Sequence, residues 1–564
     1  MMKRTVSLAI VVVAMLVSCG KDKIETLSGS SATDPAESYE DVSFDRTVGI
    51  VFSATGAATV SGIGSGDSIE ATVNGNGVTI VNSGTAKVQY TLSGSTSNGY
   101  LKIYSAKKQA LLLDGVSLAN SDGAAINVQG PQASPNSGKA TYVVVEGTNT
   151  LADGGTYSRT PSTEDEKAAL FSEGQIIISG SGSLTVTATG KAGITSDDYL
   201  KIADGTVQLA VSSTAGHGLR GKDSVLVCGG TTTVNVSANG KKGISTDGPC
   251  RISGGSTTVQ TSGNTVVESG DTSKVACLKC DGDFSITAGS LTLTATGIGA
   301  KGLSADGTGT FSGGTVSVSA TGSNFGTSGG GGGGHWGPQS SSNSVASKGI
   351  KCEGNITVDG GTVMVTQATH EGIETKGALT VSGGHVYSYS TGDDAINSAG
   401  KMLISGGYVC GWSDKNDGLD ANADFTIQGG VVYAICTCGG AEVALDAMEQ
   451  CTLSITGGTL VAIGSLERGA SMTQACYSTS SVSASTWYTM TVGNTSYAFK
   501  TPTGGSPLVV SGSSKPTVMK GGTYSGGTEY FGGIMVSGAT VSGGTEVQLS
   551  TYSNSGGGHG PGGW

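Results

Sequence analysis

The chain has 564 residues, 96 of them glycine, with 5% aromatic and 13% charged residues and a formal net charge of −12. An acidic balance of this size excludes nucleic acid and anionic membrane surfaces as electrostatic partners, and it suits cations and uncharged polymers. Glycine at this level means disorder unless it separates strand-forming runs; here it punctuates β-rich runs such as Leu291-Thr-Leu-Thr-Ala-Thr.

The N-terminus sets the compartment. Lys3 and Arg4 precede an apolar run from Val6 to Val17. That run is too short to span a bilayer and reads as the core of a signal peptide over residues 1–18. It ends in Leu16-Val17-Ser18-Cys19-Gly20, which resembles a bacterial lipobox. The resemblance implies cleavage before Cys19, lipidation of Cys19, and an outer-membrane lipoprotein that touches the membrane only through its lipid. Lys21-Asp22 faintly resembles outer-surface export signals, which points to the cell surface. Residues 19–45 are polar and read as a flexible tether.

From there a repeat takes over. Ile194, Leu219, Ile244, Leu278, Leu303, Ile350, Ile373, Ile396 and Leu419 each follow a small residue. From Ile350 to Leu419 the spacing is 23 each time; from Ile194 to Ile244 it is 25. Larger gaps mark insertions, and Ile126, Leu170 and Leu445 extend the series. Strands that follow Gly-Gly alternate, as in Val316 and Val318 against Thr315, Ser317 and Ser319, the pattern of a half-buried strand. Short strands, glycine corners and a coil of this length predict an all-β, right-handed parallel β-helix, a solenoid of about 23-residue coils over 111–460. Its ends need caps. Residues 46–110 read as an N-terminal β cap or first coils, and 461–564 as a C-terminal β cap with a Gly-rich tail. Such a rod is expected to be a monomer.

Several segments together form a distinctive series: Tyr100-Leu-Lys-Ile-Tyr-Ser-Ala-Lys-Lys-Gln-Ala-Leu-Leu-Leu-Asp-Gly-Val-Ser-Leu, Gly123-Ala-Ala-Ile-Asn, Thr141-Tyr-Val-Val-Val, Gly147-Thr-Asn-Thr-Leu-Ala-Asp-Gly, Lys167-Ala-Ala-Leu-Phe-Ser-Glu-Gly and Gly193-Ile-Thr-Ser-Asp-Asp. Over residues 45–460 the chain resembles the calcium-binding, cellulose- and pectin-binding parallel β-helix proteins of cellulolytic clostridia, which have a polysaccharide-lyase-like fold. The resemblance implies calcium and a polysaccharide partner. In that family acids of the Gly-Ile-x-Ser-Asp type bind calcium, so it implies Asp197 and Asp198 as ligands.

Stacked coils turn equal positions into rows. Two before the marker lie Glu371, Asp394 and Asp417; one after it lie Glu374, Asn397 and Asp420. Like charges about 4.8 Å apart repel unless a cation joins them, and many hard oxygens suit Ca2+. Asp393 enriches the same place, with His370 and Asn416 near it. A second row holds Glu173, Asp197, Asp247, Asp281, Asp306 and Glu353. The plain alternative is that such acids serve tight corners. Alternation also points Tyr387, Tyr389, Tyr408, Trp412 and Tyr433 outward, predicting one exposed aromatic patch able to stack on sugar rings; a C-terminal cap folding back over it is the alternative.

Carbohydrate binding without catalysis is therefore the leading expectation, with a calcium-dependent lyase or pectinase and a structural or adhesive role as alternatives. Gly392-Asp393-Asp394 resembles the polygalacturonase Gly-Asp-Asp segment and Gly216-His217-Gly218 its His motif. They stand in reversed order and about six coils apart, near 30 Å at ~4.8 Å per coil, so they cannot share a site. A lyase would need a lysine base; Lys348, Lys351 and Lys376 lie near the acids but read as ion-pair partners. The pairs Cys277/Cys280 and Cys436/Cys438 lack a second pair at zinc spacing and read as buried or loosely paired thiols. The Gly-rich stretches 326–338 and 556–564 are low-complexity arms.

Overall fold

The computed structural model describes residues 38–134, 137–158, 160–161, 163–203, 205–326, 344–439 and 441–553. The signal peptide, Cys19, most of the tether, residues 327–338 and the tail 556–564 lie outside them. Apart from the 3-10 turns Tyr39–Asp41 and Phe531–Gly533, every regular element is a strand.

The marker residues are the registration points of a long parallel sheet. Leu303 pairs with Ile350, Ile350 with Ile373, Ile373 with Ile396, and Ile396 with Leu419. The spacing of 23 in the sequence is thus the return period of the chain. This sheet has 15 strands, and all pairings from Gly77–Asn82 onward are parallel. After each of its strands the chain runs through a second row, such as Leu379–Val381, and a third, such as His385–Ser390. The second and third rows merge into one 30-stranded sheet. Long strands such as Gln109–Ala119, Phe425–Cys436 and Leu453–Ile463 run through the corner between them.

The corner before the third row is a Gly-Gly pair. The second glycine is left-handed, with φ +71° at Gly384 and +73° at Gly407, where a side chain would be strained. A Cβ on Gly407 would also lie 2.7 Å from the Gly383 carbonyl. Inside the coils Ile350, Ile396, Leu419, Val409 and Ile404 are fully buried in one continuous apolar core. Period-2 alternation dictates this, because each strand gives one face to the core and one to the outside.

Both ends leave the parallel pattern. At the start, Ile69–Asn74 folds antiparallel onto Gly77–Asn82. At the other end, Leu508–Ser511 pairs antiparallel with Leu453–Ile463. A separate antiparallel sheet of six strands, drawn from Trp487–Val492 to Thr545–Glu546, follows. It does not merely close the last coil; it lies against the outside of the third row. Tyr488, Met490, Phe499, Phe531 and Met535 pack there with Cys410, Val431, Tyr433 and Ile435 in a second apolar cluster.

Candidate functional site

The predicted acids lie where successive coils stack, but they divide into groups with different partners. At the first, His370, Glu371 and Asp393 each offer a ligand atom within 4.8 Å of the others. This group carries its own cation. Burial opposes protonation of His370, yet Asp393 and Glu371 hold its pKa up at about 9. Lys348 adds ion pairs of 2.8 Å to Glu371 and 2.6 Å to Glu374, and Lys376 also pairs with Glu374. The Asn416 amide donates to Asp393 at 2.7 Å.

One coil on, the compensation stops. Asn397 donates to Asp394 at 2.8 Å and to Asp420 at 2.9 Å. Backbone N–H groups of Asp417 and Val443 donate to Asp394 and Asp417 at 3.1 and 2.5 Å. Asp394, Asp417 and Asp420 are all buried, and among the described residues none of them has an ion pair to a basic side chain. Burial, with Asp394 and Asp446 alongside, pushes Asp417 up to about 8. Burial and its acidic neighbours raise Asp394 and Asp420 as well. The row continues beyond the residues singled out from the sequence: Asp420 stacks on Asp446, and the Asp446 carboxyl beside them raises both Asp420 and Glu467. Sequence reasoning missed Asp446 and Glu467 because the step from Leu419 to Leu445 is not 23; the Leu-Asp-Ala repeat at 419–421 and 445–447 was the available signal. Hard oxygens, excess negative charge and absent basic partners are what a calcium ion requires.

Asp197 and Asp198 do not form a shared site. Lys167 bridges Asp197 and Asp165, while Asp198 accepts from the Gln175 amide and from Tyr199 N–H at 2.8 Å. Adjacent residues on a strand end face opposite ways, and so each takes a different partner. Glu173 joins Asp165 and Asp197 instead; burial, then Asp197, pushes it up to about 7.

The aromatic expectation needs correction. Alternation does send all five rings away from the coil core, but Tyr433 is fully buried and the other four are only partly exposed. Tyr433 is 0% exposed and donates to the Lys500 carbonyl at 2.7 Å. Tyr408 stacks on Tyr530 with ring centres 3.8 Å apart and bonds Ser537; Tyr387 stacks on Phe531. The C-terminal sheet buries Tyr433 and packs partly over Tyr387 and Tyr408, because outward apolar rings supply the surface it buries. Tyr389 and Trp412 lie at the edge of that cover and are also partly exposed, with Trp412 packing in part against the same cluster. Their rings are 4.6 Å apart and tilted by 43°. Asp414 fixes both, accepting from the Tyr389 hydroxyl at 2.6 Å and the Trp412 indole N–H at 3.1 Å.

His217 is far from Asp393, as the coil count required. Its Nδ1 accepts from Lys242 N–H at 3.0 Å, and burial lowers its pKa to about 3. Cys277 and Cys280 are buried free thiols, and the Cys436 and Cys438 sulfurs lie 3.1 Å apart. Lys301 was not singled out from the sequence. It is 6% exposed, and burial with Lys351 and Lys348 near it lowers its pKa to about 7.

A family model for carbohydrate-binding domain-containing proteins matches residues 74–249 and again 208–395, more than half of the chain. The chain belongs to this carbohydrate-binding domain-containing family. A family member from Acetivibrio thermocellus is 30% identical over 122 residues, which are 21% of this chain and 41% of that protein. The chain therefore aligns with less than half the length of that curated relative. The solved polysaccharide lyase-like protein from C. thermocellum, a gadolinium derivative, is 22% identical and covers 48% of this chain and 93% of its own, with a TM-score of 0.33.

Proposed function

We propose that this chain binds polysaccharide without catalysis, on a right-handed parallel β-helix anchored by lipid at Cys19 and stiffened by calcium in the Asp394–Asp420 rows. The observation that carries the reading is the Tyr389–Trp412 pair in a member of a carbohydrate-binding family. Two partly exposed rings, locked by one carboxylate, offer a rigid apolar face on which a sugar ring can stack at little entropic cost. Affinity gel electrophoresis with Tyr389→Ala/Trp412→Ala tests it: retention by a bound polysaccharide is lost, and unchanged retention rejects the pair.

Asp394, Asn397, Asp417, Asp420 and Asp446 would hold the ion, whose charge would offset their mutual repulsion and tie adjacent coils together. The reading without catalysis is supported by the lysines beside the acids. Burial lowers Lys348, but Glu371 and Glu374 outweigh it and keep it above the ordinary lysine range, so it cannot accept a proton. One observation favours a lyase instead. Lys301, two coil steps from Glu371, has a pKa low enough to supply a neutral amine near pH 7. Product release from polygalacturonate that is abolished by Lys301→Ala would replace binding with catalysis.

A further inference from the structure

The third row of strands carries an uncharged polar face. Ser212, Asn235, Gln260 and Thr294 pair directly, one strand on the next. Two residues further along the same strands, Thr214, Ser237, Ser262 and Thr296 form a second outward row, held by the N–H groups of Ser237, Ser262 and Thr296 bonding the preceding coil. Between the two rows runs a trough of about 220 Å³, floored by the buried Ser213, Val236 and Thr261. Every side chain lining it is a hydroxyl, an amide or Val236. No ionisable group lines the trough, although the chain carries a net charge of −12.

The trough points at the aromatic pair. Thr294 pairs with Ser319, Ser319 with Gln367, and the next residue, Ala368, with Ser390, so Tyr389 and then Trp412 continue the first row. Asp414, which orients both rings, continues the second: its N–H bonds the Ser390 carbonyl as the Ser237 N–H bonds that of Ser213. From Ser212 to Trp412 there are seven steps between neighbouring strands, roughly 34 Å at ~4.8 Å each.

We infer that the binding site of the proposed function is this whole track, and that its ligand is an uncharged, unbranched polysaccharide lying along the stacking direction, with one end on Tyr389 and Trp412. The inference rests on the polysaccharide-binding reading and names its ligand class. Hydroxyls and amides at each coil can donate to and accept from sugar hydroxyls in either sense. The coil step is close to the length of one hexose in an extended chain, so each sugar meets an equivalent pair of polar groups. Uronate chains are disfavoured, because no cation lines the trough and Asp414 closes its far end.

The test uses the full chain in native affinity gels against two neutral polymers, hydroxyethylcellulose and glucomannan, and against polygalacturonate. The variants are Asn235→Asp/Gln260→Glu, Asn235→Ala/Gln260→Ala and Trp412→Ala, each checked by thermal melting. Both double variants are expected to weaken binding of a neutral polymer about tenfold, the loss of two ordinary hydrogen bonds, while leaving its disaccharide unaffected. Trp412→Ala is expected to weaken both lengths. Neutral-polymer binding that survives both double variants but not Trp412→Ala overturns the track and leaves the aromatic reading standing. Retention by polygalacturonate alone overturns the neutral ligand. No retention of the unaltered protein by any polymer overturns the polysaccharide-binding reading itself.

Discussion

His217 shows how a residue that suggests catalysis from its neighbours in sequence can be a structural acceptor. Its imidazole is neutral in the folded chain, with a pKa near 3 against an ordinary 6.5. Between those values the unfolded chain binds a proton that the folded chain does not, so stability is complete above pH 6.5 and falls as the pH drops toward 3. At pH 4.5, two units below the ordinary value, the loss is about 3 kcal/mol, at roughly 1.4 kcal/mol per unit. His217→Asn keeps an acceptor for Lys242 N–H and removes the titration. Urea midpoints at pH 7 and 4.5 should therefore lie closer together in the variant; an equal acid shift would contradict this account. The Gly-His-Gly motif was legible, but its role was not, because only the stacked coil supplies the Lys242 N–H.

At the scale of elements, the C-terminal sheet decides what the aromatics do. Period-2 alternation correctly sent Tyr387, Tyr408 and Tyr433 outward. Alternation reports which side of a strand a residue takes and nothing about what lies across from it. The partners, Tyr530, Phe531 and Phe499, stand more than 60 residues further on, in a region with no repeat to set a register. Tyr433 and Trp412 should therefore behave oppositely. Tyr433→Ala removes a fully buried ring from the docking surface and should cost about 3–5 kcal/mol of stability. Tyr433→Phe, which only strips the hydroxyl from the Lys500 carbonyl, should cost about 1 kcal/mol. Trp412→Ala should weaken glycan retention and cost less stability than Tyr433→Ala, since its ring is only partly buried. Equal destabilisation by Tyr433→Ala and Trp412→Ala would mean that the fully buried and the partly exposed ring do not differ.

At the scale of the whole molecule, the acidic rows weigh on a long stack of parallel strands. In these rows each strand pairs with the strands before and after it, so a repulsive step between two of them weakens the array locally. Calcium at Asp394, Asp417 and Asp420 would relieve that step, and at a hundred times its Kd would add about 2.7 kcal/mol. Melting in calcium should exceed melting in chelator, and Asp417→Asn/Asp420→Asn should remove the difference while raising the chelator-treated midpoint. No shift on chelation would sink the calcium reading. Glu371 and Glu374 should contribute little to it, because Lys348, His370 and Lys376 already pair with them.

The sequence by itself determined the repeat, the parallel register and the rows of acids. Each depends on spacing alone: a fixed return of 23 residues places equal positions side by side whatever their neighbours are. Only the tertiary structure decided which acids keep a cation from their own chain, that Asp446 and Glu467 lengthen the row, and that the C-terminal sheet buries Tyr433 and partly covers its neighbours. Those outcomes depend on contacts between segments of unrelated spacing, where Lys348 reaches Glu371 and where the C-terminal sheet folds back on the third row. No periodicity encodes such contacts; they follow from the apolar area and charge that each surface leaves for the other to satisfy.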